Sequence, residues 1–228
     1  MNLLLKAAIA ASLVVSSAQA LAFKSDDADD KSLFNTKTFN AMELRNIGPA
    51  YMSGRISDIA VDQNNPSTWY TAVASGGIWK TTNAGTTWTP IFDKESVYST
   101  GDVTIDPSNS NIIWVGTGEN NGGRHISFGD GVYKSVDGGK TWKNMGLKKS
   151  ERISDIIIHP TDSNTVWVSA QGPLWTSGGE RGLYKTTDGG DTWKQVLKTA
   201  DEWTGVTSLL IDPRNPNKLY AATWSRQR

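Results

Sequence analysis

The sequence predicts an all-β chain, a β-propeller of four-stranded antiparallel blades, with about three and a half blades present. Three observations carry the prediction. A Gly-rich phrase returns as TTNAGTTW (Thr81–Trp88), SVDGGKTW (Ser135–Trp142) and TTDGGDTW (Thr186–Trp193), its tryptophans 54 and 51 residues apart. An aromatic-Lys pair precedes each copy: Trp79-Lys80, Tyr133-Lys134 and Tyr184-Lys185. Short apolar runs bounded by turn residues recur in phase with both. A long fixed period built from short strands is the mark of a repeat architecture, and four strands per roughly fifty residues is that of a propeller blade.

Each unit can be read in order. The first strands are RISDIAVD (Arg55–Asp62), STGDVTID (Ser99–Asp106), RISDIIIH (Arg152–His159) and GVTSLLID (Gly205–Asp212), whose last five residues are apolar enough to be buried. The turns DQNNP, DPSNS, HPTDS and DPRNP follow, with Pro fixing φ and Asn tolerating a left-handed backbone. The second strands each carry one aromatic: Tyr70, Trp114, Trp167, Tyr220. The third strand ends in the aromatic-Lys pair, the Gly-rich phrase makes a hairpin, and its Trp opens the fourth strand. In the hairpin Asp137 and Asp188 can accept N–H groups of their own turn, Gly139 and Gly190 permit positive φ, and Trp142 and Trp193 can pack over it. The first copy has Asn83 and Ala84 but keeps Gly85 and Trp88, so the same hairpin is expected.

The chain divides into 1–20, 21–38 and 39–228. Lys6, the apolar stretch Ala7–Val15 and Ala18-Gln19-Ala20 read as a secretory signal peptide cut after Ala20. This predicts export to the periplasm or the medium. Residues 21–38 read as a disordered acidic spacer around KSDDADDKS. Nothing after the signal is apolar for long enough to span a membrane. There is no cysteine, so a packed core must hold the fold. A formal charge of zero offers no basic face for nucleic acid. The fourth unit stops after its second strand, and a propeller needs closure, so further blades in a longer chain are expected.

The pattern S/T-x-D-x-G-x-T-W resembles the Asp-box, or BNR, repeat. That repeat occurs in sialidases, xyloglucanase-like glycosidases, sortilin-type receptor domains and photosystem II assembly-factor-like proteins. From Leu44 onward the chain is similar to bacterial exported proteins of the "glycosyl hydrolase, BNR repeat" or sortilin N-terminal kind. The resemblance implies a functional face at the loops between second and third strands and at the approaches to each first strand. Those loops differ: Ala74-Ser75-Gly76 in the first unit, Gly118–Gly131 in the second and Gln171–Gly182 in the third. Long loops on a regular scaffold tend to carry function.

A glycosidase needs two carboxylates across a cleft. Glu119 and Asp102 are the candidate catalytic residues, with Asp130 and Glu180 behind them. Asn120, Asn121, Arg124, His125, Trp175, Glu180, Arg181, Trp203 and Trp224 are the candidate ligand-binding set, because aromatic faces beside amides and charges suit a sugar. Arg55, Arg152, Asp58 and Asp155 recur in phase and read as blade-to-blade contacts. His159 takes a turn position, which leaves one histidine and no cysteine: no metal site is expected. No cofactor is expected either, since there is no P-loop or dinucleotide fingerprint. Two departures from the resembling families stand out. No R-I-P of the sialidase kind is present, and Ala74 occupies the place of the catalytic Asp of xyloglucanase-like enzymes. The expectation is carbohydrate recognition with possible glycoside hydrolysis; the alternative is a sortilin-like peptide- or protein-binding propeller, or an assembly-factor propeller, without activity.

Overall fold

The computed structural model describes residues 54–120 and 126–226. The signal-peptide and spacer readings, and the first residues of the propeller region, lie outside the described residues. The first sheet comprises β1 (Ile56–Val61), β2 (Trp69–Val73), β3 (Gly77–Thr81) and β4 (Thr89–Pro90). The second has β5 (Thr100–Ile105), β6 (Ile113–Thr117), β7 (Val132–Ser135) and β8 (Lys143–Asn144). The third has β9 (Ile153–His159), β10 (Asp162–Ala170), β11 (Gly182–Thr186) and β12 (Lys194–Leu197). Each is antiparallel with its strands in chain order; β13 (Thr204–Asp212) and β14 (Asn215–Ser225) form a two-stranded fourth sheet. The only helical element among the described residues is a 3₁₀ turn, Lys148–Ser150. The fold is thus all-β, three blades and a half.

The first strands β1, β5, β9 and β13 pack against one another in sequence, and so line the axis. Every strand has two faces, and here both are used. One face of the second and of the third blade lies on the blade before it, the other on the blade after. Tyr70, Ala72, Ile78 and Phe92 of the first blade close onto Val103, Ile113, Val115 and Tyr133 of the second. Trp114, Val132 and Met145 of the second close onto Ile156, Ile158, Val166 and Val168 of the third. Trp167 and Leu183 of the third close onto Val206 and Leu209 of the fourth.

The in-phase polar residues stitch these interfaces. Asp58 Oδ2 accepts the Val103 N–H at 3.1 Å, the Asp102 carboxylate accepts the Ile156 N–H, and Asp155 Oδ2 accepts the Leu209 N–H at 2.8 Å. Each carboxylate therefore caps an amide on the next blade's first strand. Ser57 donates to the carbonyls of Ala72 and Thr100, and Ser154 to those of Ser169 and Val206. The Lys of the aromatic-Lys pair lies over the second-strand aromatic, about 5 Å from its ring: Lys80 over Tyr70, Lys134 over Trp114, Lys185 over Trp167. Lys80 and Lys134 then donate to Gly138 and Gly189 carbonyls of the next hairpin, both at 2.9 Å.

The Gly-rich hairpins form by the expected chemistry. Asp188 Oδ1 accepts Thr192 N–H at 3.0 Å and Thr186 Oγ1 at 2.6 Å, while the Gly190 N–H reaches Thr186 Oγ1 at 3.0 Å. Asp137 and Asn83 repeat the arrangement with Ser135, Thr141, Thr81 and Thr87. These bonds, led by the Thr141 and Thr186 hydroxyls, hold the Asp137 and Asp188 carboxyls well below the usual range. The tryptophans reach further than the turn. Trp142 donates its indole N–H to Ile91 O at 2.8 Å and Trp193 to Met145 O at 2.7 Å, each on the preceding blade. Trp88 instead donates to Gly85 O of its own turn.

Candidate functional site

The loops joining second to third strands, and the residues entering each first strand, share one end of the blades. In the first blade this loop is tight: the buried Ala74 donates its N–H to Arg55 O at 2.9 Å. In the second blade the loop begins with Gly118-Glu119-Asn120, drawn down onto Ser99 by the Gly118 and Glu119 N–H groups. Gly118 has φ 85, and a Cβ there would stand 1.8 Å from Glu151 O, so only glycine lets the loop lie this close to the third blade.

Glu119 has no exposed surface. Arg55 holds its Oε1 with two nitrogens, Nε at 2.7 Å and Nη2 closer still. Asp102 is also buried, but in the axial ladder and not beside Glu119. Burial, then the charges of Asp58 and Asp155, push its carboxyl well above the ordinary carboxylate value. The two carboxylates thus sit in separate networks, each facing groups that join blades. Asn120 bridges blades as well: its Nδ2 donates to Ser154 O at 3.1 Å and its carbonyl accepts Arg226 Nη1 at 3.2 Å. Asn121, Arg124 and His125 lie outside the described residues.

In the third blade Arg181 organises the long loop. Its buried guanidinium donates to the carbonyls of Gly178, Gln171, Trp203, Pro173 and Thr176. A cation satisfied by five carbonyls fixes the loop and has little left for a ligand. Glu180 Oε2 accepts the Lys149 N–H at 2.8 Å and ties the loop to the 3₁₀ turn. Between these anchors Trp175 stands out, 57% exposed. Trp203 is half-buried just before β13, and its carbonyl is one of the Arg181 acceptors. Trp224, 53% exposed, lies under the Arg226 guanidinium at 4.9 Å.

Two more aromatics share this end and were not singled out from sequence: Tyr98 before β5, 56% exposed, and Phe128 in the β6–β7 loop, 67% exposed. Their signal was position: Tyr98 enters a first strand as Trp203 does, and Phe128 lies in the loop already chosen for its length. Among the described residues no three His, Asp or Glu side chains are grouped to hold a metal ion, and no helix is long and apolar enough to cross a membrane.

The family model described as "Sortilin-Vps10: Sortilin, neurotensin receptor 3" matches residues 130–228. A Neosartorya fischeri protein named for oligoxyloglucan-reducing end-specific xyloglucanase activity is 26% identical over 176 residues, covering 74% of this chain and 20% of its own length. A xyloglucanase of Hypocrea jecorina is 27% identical over 165 residues, 65% of this chain and 18% of that protein. The crystal structure of a GH74 enzyme from Niastella koreensis superposes with a TM-score of 0.55 at 26% identity, over 72% of this chain and 24% of that one. The chain spans a fifth or less of the length of these curated relatives. Blades, hairpins and likenesses together make it an Asp-box β-propeller.

Proposed function

We propose that this chain contributes a carbohydrate-recognising loop face to an exported propeller. The observation that carries the reading is the set of large aromatics at one end of the blades, Tyr98, Phe128 and Trp175, each more than half exposed. Exposing an indole or phenyl ring forgoes its burial, and a ring held open beside polar loops suits the C–H face of a sugar. The curated relatives named as xyloglucanases support a glucan as the substrate class. Glu119 and Asp102 are assigned to holding blades together, because both are buried in inter-blade networks. Recognition is therefore the activity proposed for these blades. Hydrolysis would require an accessible carboxylate pair across a cleft.

Calorimetry with a xyloglucan oligosaccharide tests this. Removing one stacked ring forfeits about 1–2 kcal/mol, so Trp175→Ala should weaken binding about tenfold, and melting should stay unchanged because the ring is exposed. Unaltered affinity in both Trp175→Ala and Tyr98→Ala would sink the proposal. The sortilin match supports a second reading, capture of a peptide segment. It predicts peptide binding that the oligosaccharide does not displace.

A further inference from the structure

Trp175 is 57% exposed, yet the side chain before it, Leu174, is fully buried. The loop that carries them contains no strand or helix between Gln171 and Arg181, so its shape depends on what its backbone groups meet. Arg181 meets most of them. Its Nε donates to Gly178 O at 2.8 Å, and its Nη1 to Gln171 O at 2.7 Å and to Trp203 O at 3.0 Å. Its Nη2 donates to Thr176 O at 3.0 Å and to Pro173 O. A guanidinium has five N–H donors in one rigid plane, and here every one has a carbonyl. Pro173 and Thr176 stand on either side of Leu174-Trp175, so a single nitrogen clamps the backbone before and after the exposed ring.

The same loop is tied forward to the entry of β13. Gly178 donates its N–H to Glu202 O at 2.9 Å. That entry is itself a fixed turn, because Asp201 Oδ1 accepts the N–H groups of Trp203 at 2.8 Å and Thr204 at 2.7 Å. Gly172 makes room for the clamp: it has φ 84, and a Cβ there would stand 2.4 Å from Arg181 Cγ. We propose that Arg181 is the positioning residue of the sugar-stacking ring, holding Trp175 in its ligand-bound orientation before the ligand arrives and joining the Trp203 turn to the same subsite. The inference rests on the recognition reading of Trp175. Arg181 has no donor left for a sugar, so it acts through the ring. Ordering a mobile ring and its loop on binding would weaken affinity about threefold to tenfold, and a clamped ring avoids that loss. Lysine cannot replace it, having three N–H groups on a point charge and no planar fork.

Calorimetry of the full chain with a xyloglucan oligosaccharide tests this through a double-mutant cycle. Arg181→Lys should weaken binding about threefold to tenfold. In a Trp175→Ala background the same change should weaken it by less than about twofold, because no ring is left to position. A role in folding alone would weaken both backgrounds alike. Gly172→Ala is the second variant: its methyl group displaces Arg181 and leaves the charge in place. It should give the same loss, and the same silence without Trp175. Full affinity in both Arg181→Lys and Gly172→Ala overturns the inference and leaves the recognition reading intact. Losses that simply multiply with that of Trp175→Ala also overturn it. Unaltered affinity in Trp175→Ala removes its premise, and the recognition reading falls with it only if Tyr98→Ala is silent too.

Discussion

Replacing Trp193 by alanine should destabilise the protein far more than the same change at Trp88, although the two occupy one place in the repeat. Trp193 stacks edge-on against Trp114, with ring centroids 6.0 Å apart, and donates to Met145 O at 2.7 Å, so it fastens the third blade to the second. Truncating a well-packed Trp to Ala costs about 3–5 kcal/mol. Partial exposure of Trp193 lowers that figure, while the lost aromatic pair and hydrogen bond, about 1 kcal/mol each, restore part of it. About 3 kcal/mol is expected, or a fall in Tm of about 6–12 °C for a domain of this size. Trp88 donates to its own turn, and its main ring contact is Trp69 at 6.4 Å, within its own blade. Trp88→Ala should cost about 1 kcal/mol, in keeping with its exposure. Thermal melts of the two variants, followed by far-ultraviolet circular dichroism, provide the assay. Equal shifts, or no shift at Trp193, would refute the view that the hairpin Trp acts across blades.

Other consequences follow from the buried polar groups. Asp102 has its carboxyl raised by burial and by Asp58 and Asp155, so its contribution to stability is full below the ordinary carboxylate value and is lost as pH rises through the raised one. Asp102→Asn keeps an acceptor for the Ile156 N–H and cannot ionise; it should melt higher than the parent at pH 8, with the difference shrinking towards pH 4. A constant difference across that range would contradict the burial argument. Glu119→Gln breaks the Arg55 pair, and because the Arg55 side chain is 46% exposed the cost should be about 1–2 kcal/mol, read by urea unfolding. Arg181→Lys leaves three donors where five carbonyls are served. It should open the 171–182 loop to protease without lowering Tm by more than a few degrees, and unchanged proteolysis would show that the loop is held by other means.

The repeat was legible because its signals are local. Turn residues, the aromatic-Lys pair and the Gly-rich phrase each act within a few residues of sequence, and the hairpin hydrogen bonds of Asn83, Asp137 and Asp188 match the reading. The in-phase Asp58 and Asp155 were correctly read as blade contacts, because a residue repeated in every unit serves what every unit shares. Asp102 belongs to the same series, and its place in STGDVTID carried that information. Glu119 and Arg181 are different. A glutamate in a long Gly-rich loop reads as a surface group, and only the approach of Arg55, 64 residues away, shows it to be sealed. Arg181 likewise meets Trp203 O through tertiary structure alone. The reach of Trp142 and Trp193 onto the preceding blade was also invisible, since neither acceptor lies in the hairpin.

The central claim is that the loop end is the recognising face. Indole N–H resonances followed by NMR during titration with a xyloglucan oligosaccharide test it most directly. The account predicts a saturable shift of Trp175 while Trp114 and Trp193, held between blades, stay in place. Shifts confined to Trp69, Trp79 and Trp88, or none at all, would contradict it.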